Sequence, residues 1–285
     1  FFDTGITWSN SLNVAQMLDK SSYSISLGNT HQDGIISSTG MDRYNVKVSA
    51  DTKLTNNWSS GFTANYITTS IDKAVTSGNG LLRTVYAAPP SYDLAGIPSH
   101  VDGNPYTQNS FRGSFDNAYW AMENNKFTED TNRFFGNVYA SYQTDFGTTN
   151  HKLNAKYMVG VDAYTTHYVD SYGYGSNTGG GRGQIENYGW TNATYNSLLT
   201  INYDWHINED WGLNAVVGNE IIQSNRKKYY EYGTNYNFPG WNHINNATTQ
   251  QTEEETWKNR TVGFFGNVSA SYRNMLYLTL TGRQD

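Results

Sequence analysis

Residues 43–54 read Arg-Tyr-Asn-Val-Lys-Val-Ser-Ala-Asp-Thr-Lys-Leu, and they alternate between two kinds of side chain. The even-numbered positions carry Tyr, Val, Val, Ala, Thr and Leu, whereas every odd-numbered position is polar or charged. Successive side chains of a β-strand point to opposite faces, so this pattern predicts a strand with one apolar and one polar face. The run exceeds the ~5–6 residues that are typical of strands in globular proteins, and ~9–11 residues are enough to cross a bilayer at a tilt. The stretch therefore predicts a membrane-spanning strand whose polar face, with Lys47, points into a barrel.

The same alternation recurs along the chain, and no long segment shows helical periodicity. One motif occurs twice, at residues 134–142 and 264–272, which indicates equivalent strands of one sheet. The predicted fold class is all-β, a transmembrane antiparallel up-and-down β-barrel with about ten strands in this chain. The predicted strands cover residues 6–16, 23–32, 41–54, 58–70, 131–145, 151–168, 186–207, 211–230, 258–273 and 275–285.

The predicted connections alternate between short turns and longer loops, and the longer loops fall at residues 33–40, 71–130, 169–185 and 231–257. Outer-membrane barrels have short turns on the periplasmic side and longer loops outside. The glycines at residues 179–183 predict a flexible loop, and the acidic run at residues 253–255 predicts a solvated one. Aromatic residues beside the short turns are expected to form a girdle at the membrane interface: Trp58, Phe146, Trp205, Trp211, Tyr272 and Tyr277.

The composition of the chain argues against several classes of protein. Hydrophobic residues make up 37% and charged residues only 15%, against roughly 45–50% and 25% in typical soluble domains. The net charge is −6 and no basic block occurs, so nucleic acid is not an expected partner. There is no cysteine, and the six histidines show no metal-ligand spacing. No nucleophile–base pairing is recognisable, so we expect neither an enzyme nor a bound cofactor or metal.

Short motifs in order along the chain resemble those of SusC/RagA-type TonB-dependent transporters of the outer membrane. They are Tyr23-Ser24-Ile25-Ser26-Leu27-Gly28, Asp42-Arg43-Tyr44-Asn45-Val46, Leu81-Leu82-Arg83 with Pro89-Pro90, Ala118-Tyr119-Trp120, Asn132-Arg133-Phe134-Phe135-Gly136-Asn137, Gly218-Asn219-Glu220 and Leu280-Thr281-Gly282-Arg283-Gln284-Asp285. A departure is Ala15-Gln16-Met17-Leu18, where the family has small, Gly-rich residues.

The resemblance implies that residues 1–285 are part of the barrel domain of such a transporter, without its plug domain and remaining strands. It implies a 22-stranded barrel in the outer membrane of a Gram-negative bacterium. The implied partners are a SusD-like surface lipoprotein, the TonB-ExbB-ExbD system through the missing N-terminal region, and outer-membrane lipid. The implied function is active import of bulky nutrients, with a glycan or peptide as cargo. The alternative is a passive porin or adhesin-type barrel without energy coupling.

The aromatic residues of the long loops are the expected contacts with cargo or with the lipoprotein. Aromatic faces beside Asn and Asp suit sugar rings, and Tyr and Trp are also enriched at protein interfaces. From Pro89 to Trp120 the predicted loop is expected mainly to contact the lipoprotein or to fold inward, with direct stacking of cargo on Tyr119 and Trp120 as the alternative. The candidate contact residues are Tyr119, Trp120, Tyr172, Tyr174, Tyr236 and Trp241.

Overall fold

The computed structural model describes residues 1–75, 80–110 and 112–285. Across these residues strands dominate, and the only two α-helices described are short. The strands are β1 Thr7–Met17, β2 Ser21–Asp33, β3 Gly40–Lys53, β4 Trp58–Asp72, β5 His100–Val101, β6 Asn104–Gln108, β7 Lys126–Thr144, β8 His151–Tyr172, β9 Gln184–His206, β10 Trp211–Tyr236, β11 Ala247–Tyr272 and β12 Leu276–Gln284. The helices are α1 Leu81–Ala87 and α2 Ala118–Asn124, with a single 3-10 turn at Ile244–Asn246.

Ten of these strands form one antiparallel sheet in the order β1-β2-β3-β4-β7-β8-β9-β10-β11-β12. Each strand between the edge strands β1 and β12 pairs with the sheet strand that precedes it and the one that follows it, so the predicted up-and-down order is confirmed. The remaining two, β5 and β6, form a separate small hairpin in the segment that joins β4 to β7. Neither described helix is long and apolar enough to cross a membrane.

The pairing register sorts the side chains of this sheet into two faces. Val159 of β8 pairs with Val138 of β7 and Ser197 of β9, and paired residues lie on the same face. On β8 this face carries Leu153, Ala155, Tyr157, Val159, Val161 and Ala163. These positions cover eleven residues, which at ~3.3 Å per residue and a tilt of about 35–45° span about 25–30 Å, the height of a lipid-facing band. We call this band the apolar belt.

The belt side chains of β8 are exposed or half-buried, and charged side chains lie on the opposite face. Val159 and Tyr157 are 41% and 49% exposed, and an apolar face of this height open to its surroundings suits lipid. Lys156 and Asp162 lie on the other face, which we call the lumenal face because a closed barrel turns it inward. The predicted placement of Lys47 and Lys156 away from the lipid side is therefore confirmed.

Beyond the belt the strands run further than the alternation predicts. The predicted loop 231–257 is wrong, because β10 continues to Tyr236 and β11 begins at Ala247. The acidic run at residues 253–255 therefore lies on a strand, where Lys227 Nζ lies 2.8 Å from Glu254 Oε2. Above the belt both faces of the hairpin meet water, so the apolar–polar alternation disappears although the ladder continues.

Aromatic rings at the short-turn end pair across neighbouring strands as the girdle predicts. The rings of Trp58 and Tyr142 have centroids 5.0 Å apart, and those of Trp211 and Tyr272 are 4.7 Å apart. Tyr277 departs from the prediction, because it pairs with Ser271 and therefore lies on the lumenal face. The alternation of turn lengths has one weak point, since the connection at residues 34–39 is no longer than the one at residues 145–150.

The two ends of the strands are expected to differ in their access to a membrane-impermeant thiol reagent on intact cells. Cysteine in place of Asn177, an exposed residue in the loop after β8, should label. Cysteine in place of Glu209, equally exposed but in the short turn before β10, should label only after the outer membrane is disrupted. Residues 1–285 contain no native cysteine, so the protein without an introduced cysteine serves as the background for each signal. The reverse pattern would invert the assigned orientation.

Candidate functional site: the lumenal wall and the outer loops

The six residues that the sequence singles out lie at the long-loop end of the sheet, and they fall into three environments. Trp120 and Tyr236 are each 0% exposed, so they pack the loops internally and present no surface to a ligand. Tyr119, Tyr172 and Tyr174 are half-buried. The ring of Tyr119 meets Phe1 edge-on at 5.7 Å, that of Tyr172 meets Phe127 at 5.2 Å, and Tyr174 packs against the core that contains Tyr236. Trp241 alone among the six is largely exposed, at 44%.

The long connection from β4 to β7 folds against its neighbours around α2. Asn117 caps this helix, its side-chain oxygen accepting from the backbone N–H of Tyr119 at 3.0 Å and of Trp120 at 3.3 Å. The Trp120 indole donates to the carbonyl of Pro105 at 2.8 Å and packs against Ile36 and Leu81. Phe111, which the sequence places in the same loop, lies outside the described residues.

Asp116 ties this connection to the loop that follows β8. Its carboxylate accepts from Gln108 Nε2 at 2.8 Å, from Ser176 Oγ at 2.5 Å and from the backbone N–H of Asn177 at 2.7 Å. A carboxylate with three donors holds both segments in place, because the Ser176 hydroxyl and the Asn177 N–H would otherwise lose their acceptor. The glycine-rich part of this loop is ordered by the chain itself and not merely flexible as predicted. At Gly183, φ is +78° and an added Cβ would lie 2.3 Å from the ring of Tyr236.

The loop after β10 presents three stacked rings to solvent. The ring centroids of Phe238 and Trp241 are 5.8 Å apart with an interplanar angle of 16°, and those of Trp241 and His243 are 5.0 Å apart at 7°. Phe238 is 51% exposed. We call Phe238, Trp241 and His243 the aromatic ledge. Its position beyond the last ladder pair, Tyr236 with Ala247, places it at the outer tip of the longest hairpin.

Above the belt, one row of the lumenal face carries tyrosine on three successive strands. Tyr188 of β9 pairs with Tyr168 of β8 and with Tyr230 of β10. The row ends in a glutamate on each side, since Tyr168 pairs with Glu129 of β7 and Tyr230 pairs with Glu253 of β11. We call Tyr168, Tyr188 and Tyr230 the tyrosine row. Cross-strand pairing at this register keeps all three rings on the lumenal face.

The rings of the tyrosine row form a continuous aromatic surface. Tyr168 and Tyr188 stack with centroids 4.8 Å apart and planes 6° from parallel, and Tyr230 follows at 6.4 Å from Tyr188. Trp190 meets Tyr168 edge-on at 5.6 Å. Lys73 adds a cation 4.5 Å from the centre of the Tyr168 ring and lies 3.5 Å from Glu129. Such a surface offers apolar ring faces beside charged groups.

Carboxylates of the next row lie beside the hydroxyls of these tyrosines. The Tyr188 hydroxyl donates to Asp170 Oδ2 at 3.1 Å, and Glu186 of that row lies beside Tyr230. Burial, with the nearby carboxylates adding to it, raises the pKa of Tyr188 and raises the pKa of Tyr230 to about 12. Both phenols therefore remain protonated donors at neutral pH. Ring faces with fixed polar groups around them suit a ligand that has both apolar and hydrogen-bonding surfaces.

The tyrosine row is absent from the residues that the sequence analysis singled out, although a signal for it exists. Tyr188 and Trp190 lie two positions apart on a strand that the sequence predicts, and Tyr230 and Tyr232 flank Glu231 in the same way near the end of β10. The alternation indicates the lipid side of the belt, and it gives no role to the aromatic residues of the opposite face above the belt. Their clustering depends on the register between strands, which one sequence does not contain.

No protein-family model and no curated protein matches the sequence. Among solved structures, the RagAB peptide importer in its 'open-open' state matches 99% of this chain with a TM-score of 0.79 at 16% identity. Its 'closed-closed' state gives 0.77 at 15% identity over the same share. The ferripyoverdine receptor of the outer membrane of Pseudomonas aeruginosa, bound to ferripyoverdine, matches 97% with a TM-score of 0.53 at 14% identity.

The fold is that of an outer-membrane transporter barrel. At the level of the fold this confirms the resemblance to SusC/RagA-type transporters that the sequence motifs indicate. The chain spans about a third of the length of the transporters it matches, with 31% of the 'open-open' chain and 35% of the ferripyoverdine receptor covered. The wall described above is therefore comparable to part of their barrels.

Proposed function

We propose that this chain is part of the wall of an outer-membrane transporter that actively imports bulky nutrients, either oligosaccharides or peptides. The observation that carries the proposal is the tyrosine row, which lies on the lumenal face beyond the apolar belt of a barrel wall with a transporter fold. A passive pore needs a hydrated passage, whereas stacked rings with fixed hydrogen-bonding groups suit a bound cargo. In this proposal the wall binds the cargo and lets it pass, without catalysis.

The outer loops would serve the contact with a SusD-like surface lipoprotein. The aromatic ledge stands exposed at the tip of the longest hairpin, and exposed Trp and Phe are typical anchors of protein interfaces. Asn242 of the same loop donates to the carbonyl of Asn124 at 3.0 Å and so links this surface to the helix that carries Trp120. Energy would come through the TonB-ExbB-ExbD system, acting on parts of a longer protein, and residues 1–285 would contribute one section of a larger barrel.

Uptake by cells that carry the full-length gene tests this proposal. Wild-type cells and a deletion strain receive a mixed pool of oligosaccharides and peptides, and depletion of each component is followed by mass spectrometry with and without a protonophore. We expect the wild type to remove one class of compound in an energy-dependent way. Tyr188→Ala should lower the uptake of that compound at sub-saturating concentration about thirtyfold, because an aromatic contact at a binding hot spot contributes about 2 kcal/mol.

The matched control is Tyr157→Ala, which removes a tyrosine of the same wall on the apolar belt. Cells that carry this variant should take up the cargo as fast as wild-type cells once the amounts of folded protein are equal. Uptake that persists undiminished with the protonophore would support the passive porin instead. Equal uptake by the deletion strain and the wild type for every compound would refute a role in import.

A further inference from the structure

One arginine of the lumenal face is held between two tryptophans. Arg226 lies on β10 just beyond the apolar belt, and its Cζ atom lies 5.5 Å from the ring centre of Trp190 and 5.5 Å from that of Trp257. Trp257 is its cross-strand partner on β11, whereas Trp190 approaches from β9, where it pairs with Lys228 in the next lumenal row. A guanidinium over an aromatic face is attracted by the ring quadrupole, and two rings restrict its orientation. The side chain is nevertheless exposed to the lumen.

The acidic groups closest to Arg226 in the lumenal rows already have basic partners. Glu255, one row above, lies 3.7 Å from Lys228 Nζ. Asp162, one row below and on β8, accepts two hydrogen bonds from Arg133, at 2.9 and 2.6 Å. Arg226 itself has ring contacts and no ion pair or hydrogen bond with another residue of the described ranges. Its charge is uncompensated on this part of the wall.

Three other exposed arginines of the sheet are paired within the protein and lack this arrangement. Arg273 pairs with Asp210 at 2.8 Å, and Arg283 pairs with Glu220 at 2.9 Å. Arg260, on the outward face of β11, donates through Nε to Gln223 Oε1 at 2.9 Å. Their N–H groups are used within the protein. The N–H groups of Arg226 are oriented by two rings and remain available.

We propose that Arg226, set between Trp190 and Trp257, is a carboxylate-binding subsite for the cargo. The planar fork of a guanidinium matches the two oxygens of a carboxylate, and such bidentate pairs are stronger than neutral hydrogen bonds. The carboxylate would come from a uronic acid of an oligosaccharide or from the C-terminus of a peptide. This inference rests on the proposed function and specifies the chemistry of its cargo.

Binding to the purified full-length protein in detergent tests the subsite without energy coupling. Two matched pairs of probes are used: tetragalacturonate with its methyl ester, and tetra-alanine with its C-terminal amide. Titration calorimetry gives the affinity, and intrinsic tryptophan fluorescence, to which Trp190 and Trp257 contribute, gives a second reading of binding. We expect one free acid to bind about tenfold or more tightly than its masked form, as a charged hydrogen bond contributes enough for that ratio. The pair that shows the preference identifies the source of the carboxylate.

Two substitutions and a control assign the preference to Arg226. Arg226→Ala should abolish it, whereas Arg226→Lys should keep part of it, because lysine keeps the charge and loses the fork. Arg260→Ala, an arginine removed from the outward face of the next strand, should bind like the wild type. Heat-modifiable migration confirms that each variant is folded, and should Arg226→Ala fail this check, Arg226→Lys alone decides by its reduced preference.

Three results would overturn the subsite: equal binding of acid and masked probe, a preference that survives both Arg226 substitutions, or binding of neither acid. The uptake assay above is separate from these measurements. Energy-dependent import of a neutral compound, with no acid preference in the purified protein, would retain the proposed function and reject the subsite. A clear acid preference without import would retain the subsite and reject the function.

Discussion

Replacement of Trp120 by alanine is expected to open the outer loops to protease while the strands of the sheet stay protected. The side chain is 0% exposed and packs against Ile36, Leu81 and Ala121. Truncation of a buried tryptophan costs about 3–5 kcal/mol, and here it also removes the donor to the carbonyl of Pro105. That is a large share of the stability of two short helices and a two-stranded hairpin, so the segment from residue 80 to 125 should unfold locally.

Limited proteolysis of intact cells, followed by mass spectrometry of the released peptides, measures this effect in the full-length protein. New cleavage sites should appear between α1 and α2, while heat-modifiable migration stays normal because the sheet ladders do not include Trp120. Trp241→Ala is the matched control, since this tryptophan is exposed and stacks only on Phe238 and His243 in the described structure. Cleavage equal in the two variants would mean that the loop core does not depend on Trp120.

An arginine at position 159 is expected to impair folding into lipid, whereas an arginine at position 158 is expected to be tolerated. Val159 lies in the middle of the apolar belt and is open to its surroundings, whereas Met158 pairs with Tyr139 and Leu198 on the lumenal face. A charge on the lipid face at mid-bilayer depth costs about 2–4 kcal/mol, and a lumenal charge does not pay this desolvation cost. The two substitutions differ by one position in the chain and by the face of the sheet.

The folded fraction of each variant in lipid vesicles, read from heat-modifiable migration across a urea series, gives the comparison. Val159→Arg should shift the midpoint to lower urea, and Met158→Arg should stay near the wild type. A larger shift of the midpoint for Met158→Arg would mean that the lipid-facing and lumenal faces are assigned the wrong way round. This would hold for the whole sheet, because the register links each strand to its neighbours. Similar shifts for both would argue against a lipid-facing belt.

The belt segments of the strands could be predicted from the sequence because lipid and lumen impose opposite requirements on alternate residues. On β3, the run from Tyr44 to Leu54 carries that signal directly. Where water lies on both sides of the sheet, alternate residues no longer need to be apolar and polar. On β10, for example, Lys227 and Lys228 lie on opposite faces and are both charged. The outer parts of β10 and β11 were therefore predicted to be a loop, although the ladder continues to Tyr236 and Ala247.

The candidate site was predicted less well than the fold, and the reason is geometric. The sequence points to aromatic residues of the long connections as contacts with cargo or with a partner. In the structure, however, Trp120 and Tyr236 are buried by contacts with distant segments. Conversely, Tyr168, Tyr188 and Tyr230 come together only because three strands share one register. The first two of these residues are far apart in the sequence, although their ring centroids lie 4.8 Å apart in the structure.

The long connection between β4 and β7 also has a consequence for the order in which the wall assembles. The neighbouring pairs β1–β2, β3–β4 and β7–β8 are joined by short turns, whereas the β4–β7 ladder closes over residues 73–125. The entropy of loop closure grows with the logarithm of length, so this closure costs about 2 kcal/mol more than a tight hairpin before any pairing compensates it. We expect strands β1–β4 and strands β7–β12 to pair first as two separate sheets. The β4–β7 ladder, which joins the two sheets, should form last.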